Sequence, residues 1–379
     1  HAPFAAVGVR NWWLSTFGYN YDADLPALCH GHLAGTLSPE ATETYHTLVE
    51  KASSVPVQDY TAFSSDYLNV FTTGFHYAFG VAIIAMVISL TIYLLNKRNF
   101  PDPSKKAAAS SSSSSATVEM SIQEVKQRMY ALFAVFGVVI FFWFSFHQNG
   151  LTMTFFARDY TAHDVTGLDR LGFSVWNLVL IIITVYAGFS LFQSKTGKAK
   201  LISGVVATLA LIGLGVNYGT MDPTLPILPQ IFQQFNPFFV VALTPVSLAV
   251  FGALAKKGKE PSAPRKIGIG MLVAAVGFLI MAIGSFGLPS SGEQAAAMAD
   301  GTATLVSPNW LISTYLVLTF AELLLSPMGI SFVSKVAPPK YKGAMMGGWF
   351  VATAIGNYMT AIIGYLWGDM QLWMVWSVL

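Results

Sequence analysis

The amino-acid sequence predicts an all-α membrane protein, and three features of the chain support this. Its 379 residues are 54% hydrophobic with a mean hydropathy of +0.56, and only 11% are charged, whereas soluble domains carry roughly 25% charged residues. Long segments contain no Lys, Arg, Asp or Glu, and one of them, 129–157, is 29 residues long. The basic residues are concentrated in alternate loops between these segments. Together these features favour several helices that each cross a bilayer.

Eight segments are long enough to cross a bilayer as helices, since a hydrocarbon core of ~30 Å takes about 20 apolar residues. They are 67–96, 129–157, 171–194, 201–221, 223–255, 267–292, 301–334 and 343–368. The segments 171–194 and 201–221 form a pair joined by the short basic turn "KTGKAK". Two shorter stretches, "APFAAVGVRNWWL" at the front and "MQLWMVWSVL" at the end, resemble the tail and the beginning of further helices.

The charges assign a side of the membrane to each loop. If the loop after Asn96 is cytoplasmic, the cytoplasmic loops are 97–128, 195–200, 256–266 and 335–342, and they hold 17 of the 21 Lys and Arg residues. Of the 19 acidic residues, 14 fall on the outer side. This is the distribution that the positive-inside rule requires, so the alternation supports all eight spans.

Several classes of protein are excluded by what the sequence lacks. The single cysteine, Cys29, allows no intrachain disulfide and no cysteine-based metal cage. The net charge of +2 does not indicate a nucleic-acid partner. No H-E-x-x-H, G-x-S-x-G, P-loop or strand-linked G-x-G-x-x-G motif occurs, and "CHGH" at 29–32 lacks the partner spacing of a closed zinc site. We therefore predict no enzyme, no cofactor and no metal.

Polar residues inside the predicted spans are the candidate functional residues, because in a bilayer such groups face a cavity or a partner far more often than lipid. Glu322 is the one formal charge within a span, and it must be neutral, paired or facing water. His147 lies in "FFWFSFHQNG", and an imidazole titrates near neutral pH, which suits a reversible proton site. Asn236 and Asn357 either line a site or bond a neighbouring helix.

Aromatic and helix-breaking residues accompany these polar positions. Trp143 and Trp349 lie deep in their spans, where they are either core packing or pocket walls. Pro and Gly residues free backbone carbonyls and allow a helix to bend, which transporters use for binding sites and for gating. They occur at Pro237, Pro245, Pro327, Gly329 and Gly356.

The later part of the sequence resembles the proton-dependent oligopeptide transporter (POT) family of the major facilitator superfamily. The most specific stretch is 315–364, with a mid-helix glutamate, "SPMGIS", a Lys before "AP", "MMGGWF" and "GN". It resembles the tenth and eleventh helices of the family. "FNPFFVVALTPV" resembles the eighth helix, "FWFSFHQNG" the seventh and "FHYAFGVAIIAM" the sixth. "APF" at the front resembles the end of the fifth, and the end of the chain the start of the twelfth.

The resemblance implies a helical bundle of the major facilitator type that is incomplete in this chain, with the first four helices absent and an extra helix pair added. Residues 1–66 would be the tail of a transmembrane helix plus a long outer loop, and 67–96 a helix of the N-terminal bundle. A cytoplasmic linker, 97–128, would lead to the C-terminal bundle, 129–379, which includes the extra pair 171–221. This chain alone is not expected to transport, because alternating access needs two bundles.

The resemblance also implies roles for individual residues. Glu322 and Asn236 would bind the amino end of a peptide, with Trp143, Trp349 and Thr353 lining the same cavity. Pro327 and Gly329 would let the helix bend as an inner gate closes. Proton coupling is expected at Glu322 and at His147, which stands where family members commonly carry a carboxylate.

Two departures from the family pattern bear on proton coupling. The E-x-x-E-R motif of the family's first helix is absent, and "EVKQR" at 124–128 is not a substitute. His147 replaces a carboxylate, so it either titrates with the sign of its gating effect altered or is a neutral pocket residue. In the second case Glu322 or the absent motif would carry the proton.

The expected function is proton-coupled symport of di- and tripeptides across the bacterial inner membrane by alternating access. The expected partners are peptide, protons, the lipid bilayer and the absent N-terminal helices, with no nucleic acid. Two alternatives remain. One is a transporter of the same fold for nitrate or a drug-like anion, and the other is a non-transporting membrane receptor or assembly subunit.

Overall fold

The computed structural model describes residues 2–22, 25–96, 120–299, 301–368 and 370–379. The chain divides into two compact units, His1–Val118 and Glu119–Leu379. Apart from two strands of three residues each, the regular structure of the described residues is helical. Eight helical segments among them are long and apolar enough to cross a membrane. The predicted all-α membrane fold is therefore confirmed.

The described residues of the first unit form four helices, and the segment predicted as an outer loop is folded. The helices are α1 (Ala2–Thr16), α2 (Leu25–Ala34), α3 (Pro39–Ala52) and α4 (Tyr60–Asn96). Ser38 caps α3 by accepting the Ala41 N–H at 3.2 Å, and Asp59 caps α4 by accepting the N–H groups of Thr61 and Ala62. Because of that cap, α4 begins seven residues before the span predicted at 67–96.

A small core joins α2 and α3 to the outer half of α4. The fully buried side chains Leu25, Cys29, Tyr45, Val49 and Tyr67 are part of it. The Tyr45 hydroxyl lies 2.6 Å from Ser64 Oγ, which links α3 to α4. The segment predicted as a long outer loop is therefore largely helical and is packed against the top of a membrane span.

The second unit contains ten α-helices in its described residues, and they account for seven of the eight spans. They are α5 (Ile122–Phe146), α6 (Thr152–Asp159), α7 (Val175–Gln193), α8 (Gly197–Thr220), α9 (Phe235–Lys256), α10 (Ala263–Gly284), α11 (Ser291–Ala299), α12 (Pro308–Val336), α13 (Lys342–Leu366) and α14 (Leu372–Val378). Their packing produces a continuous buried core built largely from Phe, Trp, Leu, Ala and Val side chains. The tightest helix pairs are α10 with α12, α7 with α8, and α5 with α13.

Glycines set the close approach of two of these pairs. A Cβ on Gly270 of α10 would lie 2.9 Å from the Ala321 carbonyl oxygen of α12. A Cβ on Gly356 of α13 would lie 2.8 Å from Trp143 Cβ of α5. Small residues at such crossings allow membrane helices to pack backbone to backbone, which is the main source of their association in lipid.

The span predicted as one helix over 129–157 is broken in its second half. α5 ends at Phe146, a 3₁₀ turn follows at His147–Gly150, and α6 starts at Thr152. The sequence "NG" at 149–150 favours a turn, and Leu151 has φ −122° and ψ −89°, outside the helical region. His147 is therefore the first residue of the 3₁₀ turn that follows α5 and does not lie in the middle of a continuous α-helix.

Two other spans have shorter helical parts than predicted. The segment 267–292 ends as a helix at Gly284, and α11 is a separate outer helix. The segment 223–255 begins with strand β2 (Thr224–Pro226) and a 3₁₀ turn before α9. Strand β2 pairs antiparallel with β1 (Asp164–Thr166), so that Val165 lies opposite Leu225. Apolar residues in these outer segments had been counted as parts of the spans.

The extra helix pair, α7 and α8, forms a hairpin with its own polar contacts. Asn217 donates to Asn177 Oδ1 at 2.9 Å, and Asn177 is fully buried. Ser203 donates to Ser190 Oγ at 2.8 Å. Arg170, just before the pair, donates to the carbonyls of Gly167, Met221 and Asp222 and so closes the outer end. The two predicted helices are both present.

The predicted cytoplasmic linker, 97–128, lies mostly outside the described residues, which resume at 120. Its last part is helical, because α5 begins at Ile122. Ser121 caps that start by accepting the Glu124 N–H at 3.2 Å, and Arg128 pairs with Glu124 at 2.7 Å. The other predicted domain boundaries stay predictions.

Candidate functional site

A hydrogen bond between two membrane helices joins Asn236 to Glu322. Asn236 lies in the first turn of α9 and Glu322 in the middle of α12. Asn236 Nδ2 donates to Glu322 Oε2 at 2.8 Å and lies 3.4 Å from Thr319 Oγ1. Both residues are partly buried. The sequence had named Asn236 and Glu322 independently, and the fold brings them together.

Three residues on one face of α12 form what we call the polar stripe: Tyr315, Thr319 and Glu322. They follow each other at i, i+4 and i+7, so they line up along the helix. Tyr315 and Thr319 are buried. Thr319 donates to the Tyr315 carbonyl at 2.8 Å, which leaves its oxygen to accept from Asn236. The stripe therefore presents a carboxylate, a hydroxyl and a phenol to the helices packed against α12.

The other end of the polar stripe contacts the broken helix. The Tyr315 hydroxyl donates to the Asn149 carbonyl at 2.8 Å, within the 3₁₀ turn that begins at His147. The turn at His147 and the Asn236–Glu322 pair are thus both attached to α12, about 10 Å apart along its axis at 1.5 Å per residue. Sequence reasoning missed Tyr315 and Thr319. The i, i+4, i+7 spacing in "YLVLTFAE" was the signal that could have identified them.

The Glu322 carboxylate has spare hydrogen-bonding capacity. Asn236 occupies one carboxylate oxygen, and within the described ranges no Lys, Arg or His lies within 4.0 Å of either oxygen. A carboxylate offers about four acceptor positions. The site can therefore accept a further donor, and an ammonium group is the donor that a carboxylate binds most strongly at low dielectric.

His147 is held at one ring nitrogen and open at the other. Its Nδ1 lies 3.1 Å from the Trp143 carbonyl oxygen, so Nδ1 carries the proton in that contact. Nε2 has no hydrogen-bond partner among the residues that the structure describes. The ring also packs on Trp143, with centroids 5.1 Å apart. A proton can therefore be taken up at Nε2 while the Nδ1 contact is kept.

Gln148, next to His147, is fully buried and fixes the turn. Its Nε2 donates to the carbonyls of Phe144 and Thr360 at 3.3 and 3.2 Å. Its Oε1 accepts from Thr152 at 2.9 Å. These bonds satisfy a carbonyl near the end of α5 and attach the turn to α13, so the orientation of His147 is set by a rigid support.

Trp143, Trp349 and Thr353 lie at the packing surfaces of α13. Trp349 is 2% exposed, and a Cβ on Gly329 of α12 would collide with its ring. Thr353 donates to the Trp349 carbonyl of its own helix at 3.1 Å. Trp143 is 9% exposed and packs near Gly356. Trp349, Thr353 and Gly356 share one face of α13 at i, i+4 and i+7.

The two predicted gating residues have different surroundings. Gly329 is buried, and its lack of a side chain makes room for Trp349. Pro327 lies inside α12 and is exposed. It borders a cavity of about 360 Å³, together with Phe251, Glu260, Lys266 and Met328. Lys266 is 4% exposed, pairs with Glu260 and lies 4.2 Å from the centroid of the Phe251 ring.

Other sequence candidates are not drawn into this region. Asn357 is exposed on α13. No group of three or more His, Cys, Asp or Glu side chains that could hold a metal occurs in the described part of the chain. The arrangement consists of one carboxylate, one imidazole and several hydroxyl and amide groups, which suits reversible binding of a cation or a proton.

Comparison with known proteins shows which family the later part of the chain resembles. Residues 215–372 match the family model described as "POT family". This segment contains Asn236, the polar stripe and all of α13. The chain is therefore similar to the POT family over 158 of its 379 residues. The predicted resemblance is therefore confirmed, and the POT family and the relatives below are transporters.

Several bacterial proteins are similar to this chain. Peptide transporter YePEPT of Yersinia enterocolitica is 34% identical over 189 residues, which are 49% of this chain and 33% of that protein. Dipeptide and tripeptide permease B of Salmonella typhimurium is 28% identical over 207 residues, with coverages of 48% and 40%. An uncharacterized transporter, YclF of Bacillus subtilis, is 24% identical over 308 residues, with coverages of 77% and 55%.

Among solved structures, a mutant peptide transporter POT bound to alafosfalin is 16% identical. The match covers 100% of this chain and 81% of that one, with a TM-score of 0.49. This chain spans between a third and just over half of the length of these curated relatives. With its eight apolar spans and its bacterial relatives, it is a multi-pass protein of the bacterial inner membrane.

Proposed function

We propose that this chain supplies the peptide-binding half-site of a transporter that moves di- and tripeptides together with protons across the inner membrane. The observation that carries the proposal is the Asn236–Glu322 contact on the polar stripe. Relatives named as a peptide transporter and as a dipeptide and tripeptide permease support the choice of substrate. The function is transport without catalysis, driven by a proton gradient and with no cofactor.

The amino end of the peptide binds at Glu322. Its ammonium group donates to the free carboxylate oxygen, while Asn236 keeps the other oxygen oriented and offers its own carbonyl oxygen to the ligand. Trp143 and Trp349 form apolar walls, and Thr353 lies one turn after Trp349 on the same face of α13. Contacts with the peptide backbone and apolar surface bind many side chains without strong preference, which suits a permease for short peptides.

His147 takes up the transported proton at Nε2. The imidazole is attached to the Trp143 carbonyl through Nδ1, and its turn is attached to α12 through Tyr315. A positive charge on the ring changes the electrostatics at the end of the stripe that holds the peptide. Bending of α12 near Pro327 and Gly329 then accompanies closure of the inner gate.

The test is uptake of a labelled dipeptide by the intact transporter in liposomes, with and without an inward proton gradient. Gradient-driven accumulation that unlabelled dipeptides compete away is expected. Glu322→Gln should weaken uptake at least about tenfold, since a hydrogen bond to a charged group is worth roughly 1.5–3 kcal/mol. Asn357→Gln, at an exposed position on α13, is the control and should behave like the parent.

His147→Gln separates proton coupling from binding. We expect it to abolish the gain from the gradient while peptide exchange between the two sides of the liposome continues. Full gradient-driven uptake by His147→Gln would assign His147 to the pocket and the proton to another group. Uptake of nitrate or of an anionic drug without competition by dipeptides would overturn the peptide assignment, and no transport by well-folded protein would favour a receptor or assembly role.

A further inference from the structure

A proline in the interior of α9 leaves one backbone carbonyl without its helical donor. Pro237 lies in the first turn, where an N–H has no partner within the helix in any case. Pro245 lies ten residues after the start of α9 at Phe235, and its nitrogen carries no hydrogen to donate to the Val241 carbonyl four residues earlier. In the bilayer core no water is present to take the place of that donor.

The missing donor is supplied by the extra helix pair. Tyr186 of α7 donates its hydroxyl to the Val241 carbonyl oxygen at 3.2 Å. Among the described residues this is the hydrogen bond that joins α7 to α9. A phenol hydroxyl inside an apolar span also needs a partner. The bond therefore satisfies two groups that would otherwise be unpaired in the bilayer.

The packing beside this bond is open. An open groove of about 550 Å³ runs between α7 and α9 on their exposed side and is bordered by Tyr186, Phe189, Pro245 and Leu248, among others. Close packing normally prevents one helix from moving against another. Here the halves of α9 on either side of Pro245 have room to change their angle, and the Tyr186 hydroxyl is the directional contact at that point.

The two halves of α9 serve different parts of the molecule. Asn236, at the outer end, holds Glu322. Phe251, in the inner half, lies against Lys266, whose Nζ is also 3.7 Å from Met328 Sδ beside Pro327. A change of angle at Pro245 therefore alters the relation between the binding contact and the inner ends of α9, α10 and α12.

We infer that the extra helix pair is a strut for the proline hinge of α9, and that Tyr186 is a positioning residue that sets the angle of this hinge through the Val241 carbonyl. The consequence for transport rests on the function proposed above, whereas the mechanical coupling does not. The extra helices α7 and α8 thus limit how far α9 bends at Pro245.

The experiment compares amide hydrogen exchange of α9 in the intact transporter and its variants. Tyr186→Phe removes the hydroxyl and keeps the ring. We expect exchange around 241–250 to become about threefold faster, the effect of losing one average interhelical hydrogen bond. Tyr218→Phe is the matched control, because its hydroxyl has no hydrogen-bond partner among the described residues, and it should leave α9 unchanged.

A second substitution identifies the cause. Pro245→Ala, or Pro245→Leu, restores an N–H that can donate to the Val241 carbonyl, so adding Tyr186→Phe to either should have no further effect on α9 exchange. If Tyr186→Phe increased the exchange rate of α9 equally with and without Pro245, Tyr186 would have only a general packing role. Unchanged exchange in Tyr186→Phe itself would also overturn the inference.

Transport is measured separately on the same variants. If dipeptides are transported, Tyr186→Phe should change kcat about threefold and leave KM unaltered, since the hinge governs the conformational step and not the binding contact. An altered KM with unaltered kcat would contradict this. If no dipeptide is transported, the exchange measurements still decide whether the strut exists, so the two proposals fail independently.

Discussion

Gln148 and Glu322 are both polar side chains placed in apolar spans, yet their surroundings are opposite. Gln148 is fully buried, and its amide makes three hydrogen bonds, to Phe144, Thr360 and Thr152. Glu322 has one bonded oxygen, shared with Asn236, and its side chain is partly exposed. The amide has used nearly all of its bonding capacity, whereas the carboxylate has kept most of it.

This difference distinguishes a residue that stabilises helix packing from a residue that can bind a ligand. A polar group whose bonds are all made within the protein can only hold helices together, because a ligand would have to displace one of those bonds. A carboxylate with free acceptor positions in a low-dielectric environment destabilises the fold, unless a cation or a proton binds to it. We therefore expect Gln148 to govern stability and Glu322 to govern binding.

The largest effect should follow from Gln148→Leu. The carbonyls of Phe144 and Thr360 and the Thr152 hydroxyl would lose a partner in a buried place, and the free energy of unfolding should fall by about 3 kcal/mol. Unfolding in detergent, followed by Tm or denaturant midpoint, measures it. Gln230→Leu, at an exposed position before α9, is the control. Equal stability of the two variants would show that Gln148 is dispensable.

A smaller loss is expected from Gly329→Ala. The new Cβ would enter the space of the Trp349 ring, and the forced repacking should lower the free energy of unfolding by about 2 kcal/mol. Gly347→Ala serves as the matched control, since Gly347 is exposed with no atom within 4 Å of a Cβ. A Gly329→Ala protein as stable as Gly347→Ala, but with altered transport, would favour the gating role over the packing role.

Glu322→Gln should change stability by less than about 1 kcal/mol. The new side-chain carbonyl still accepts a hydrogen bond from Asn236, and the desolvation cost of a buried charge is removed. The same unfolding assay checks this result beside the binding loss expected for the variant. A loss of stability as large as that of Gln148→Leu would contradict the comparison and make Glu322 a supporting residue as well.

The smallest effect concerns Glu293, an exposed carboxylate outside the membrane. It accepts the Ser290 N–H and hydroxyl, both at 2.8 Å, and these bonds lower the pKa of Glu293 from its ordinary 4.5. Because the folded-state pKa is depressed, the contribution is present above pH 4.5 and is lost as the pH falls through the folded-state value. Hydrogen exchange of α11 should therefore become faster in acid than expected from intrinsic rates.

Glu293→Gln is the control for that effect. This variant should show the faster exchange of α11 at neutral pH and no additional change in acid. A parent protein whose α11 protection does not change between pH 6 and pH 3 would show that the Ser290 contacts contribute nothing to the helix.

The spans could be predicted because charged residues are largely excluded from the bilayer core. The breaks within the spans could not be predicted in this way. Hydropathy is averaged over many residues, so it does not detect the 3₁₀ turn at His147–Gly150 or the separate helix α11. Asn236 and Glu322 were identified as polar residues within predicted spans, the family resemblance implied their roles, and the structure places their side chains 2.8 Å apart. Their roles, with those of Trp143, His147, Pro327, Gly329, Trp349 and Thr353, stay predictions.

Contacts between distant segments were beyond the reach of sequence patterns. Tyr315 stands at an apolar position of α12 and reads as core, although its hydroxyl reaches Asn149. From the sequence, Tyr186 resembles any other aromatic residue of a lipid-facing helix. Its hydrogen bond to Val241 is evident only from the packing of α7 against α9. Such bonds depend on which helices meet, and no local pattern records that.

The two-stranded ribbon β1–β2 brings the two ends of the segment that holds the extra helix pair side by side. Its strands lie at the two ends of the inserted segment, with Thr166 opposite Thr224, and a two-residue turn is enough to join such a pair. Arg170 closes the segment with carbonyls that all belong to it. A reporter domain with adjacent termini could therefore be spliced in at this ribbon in place of the helices, and α9 would then lose the Tyr186 hydrogen bond at Val241.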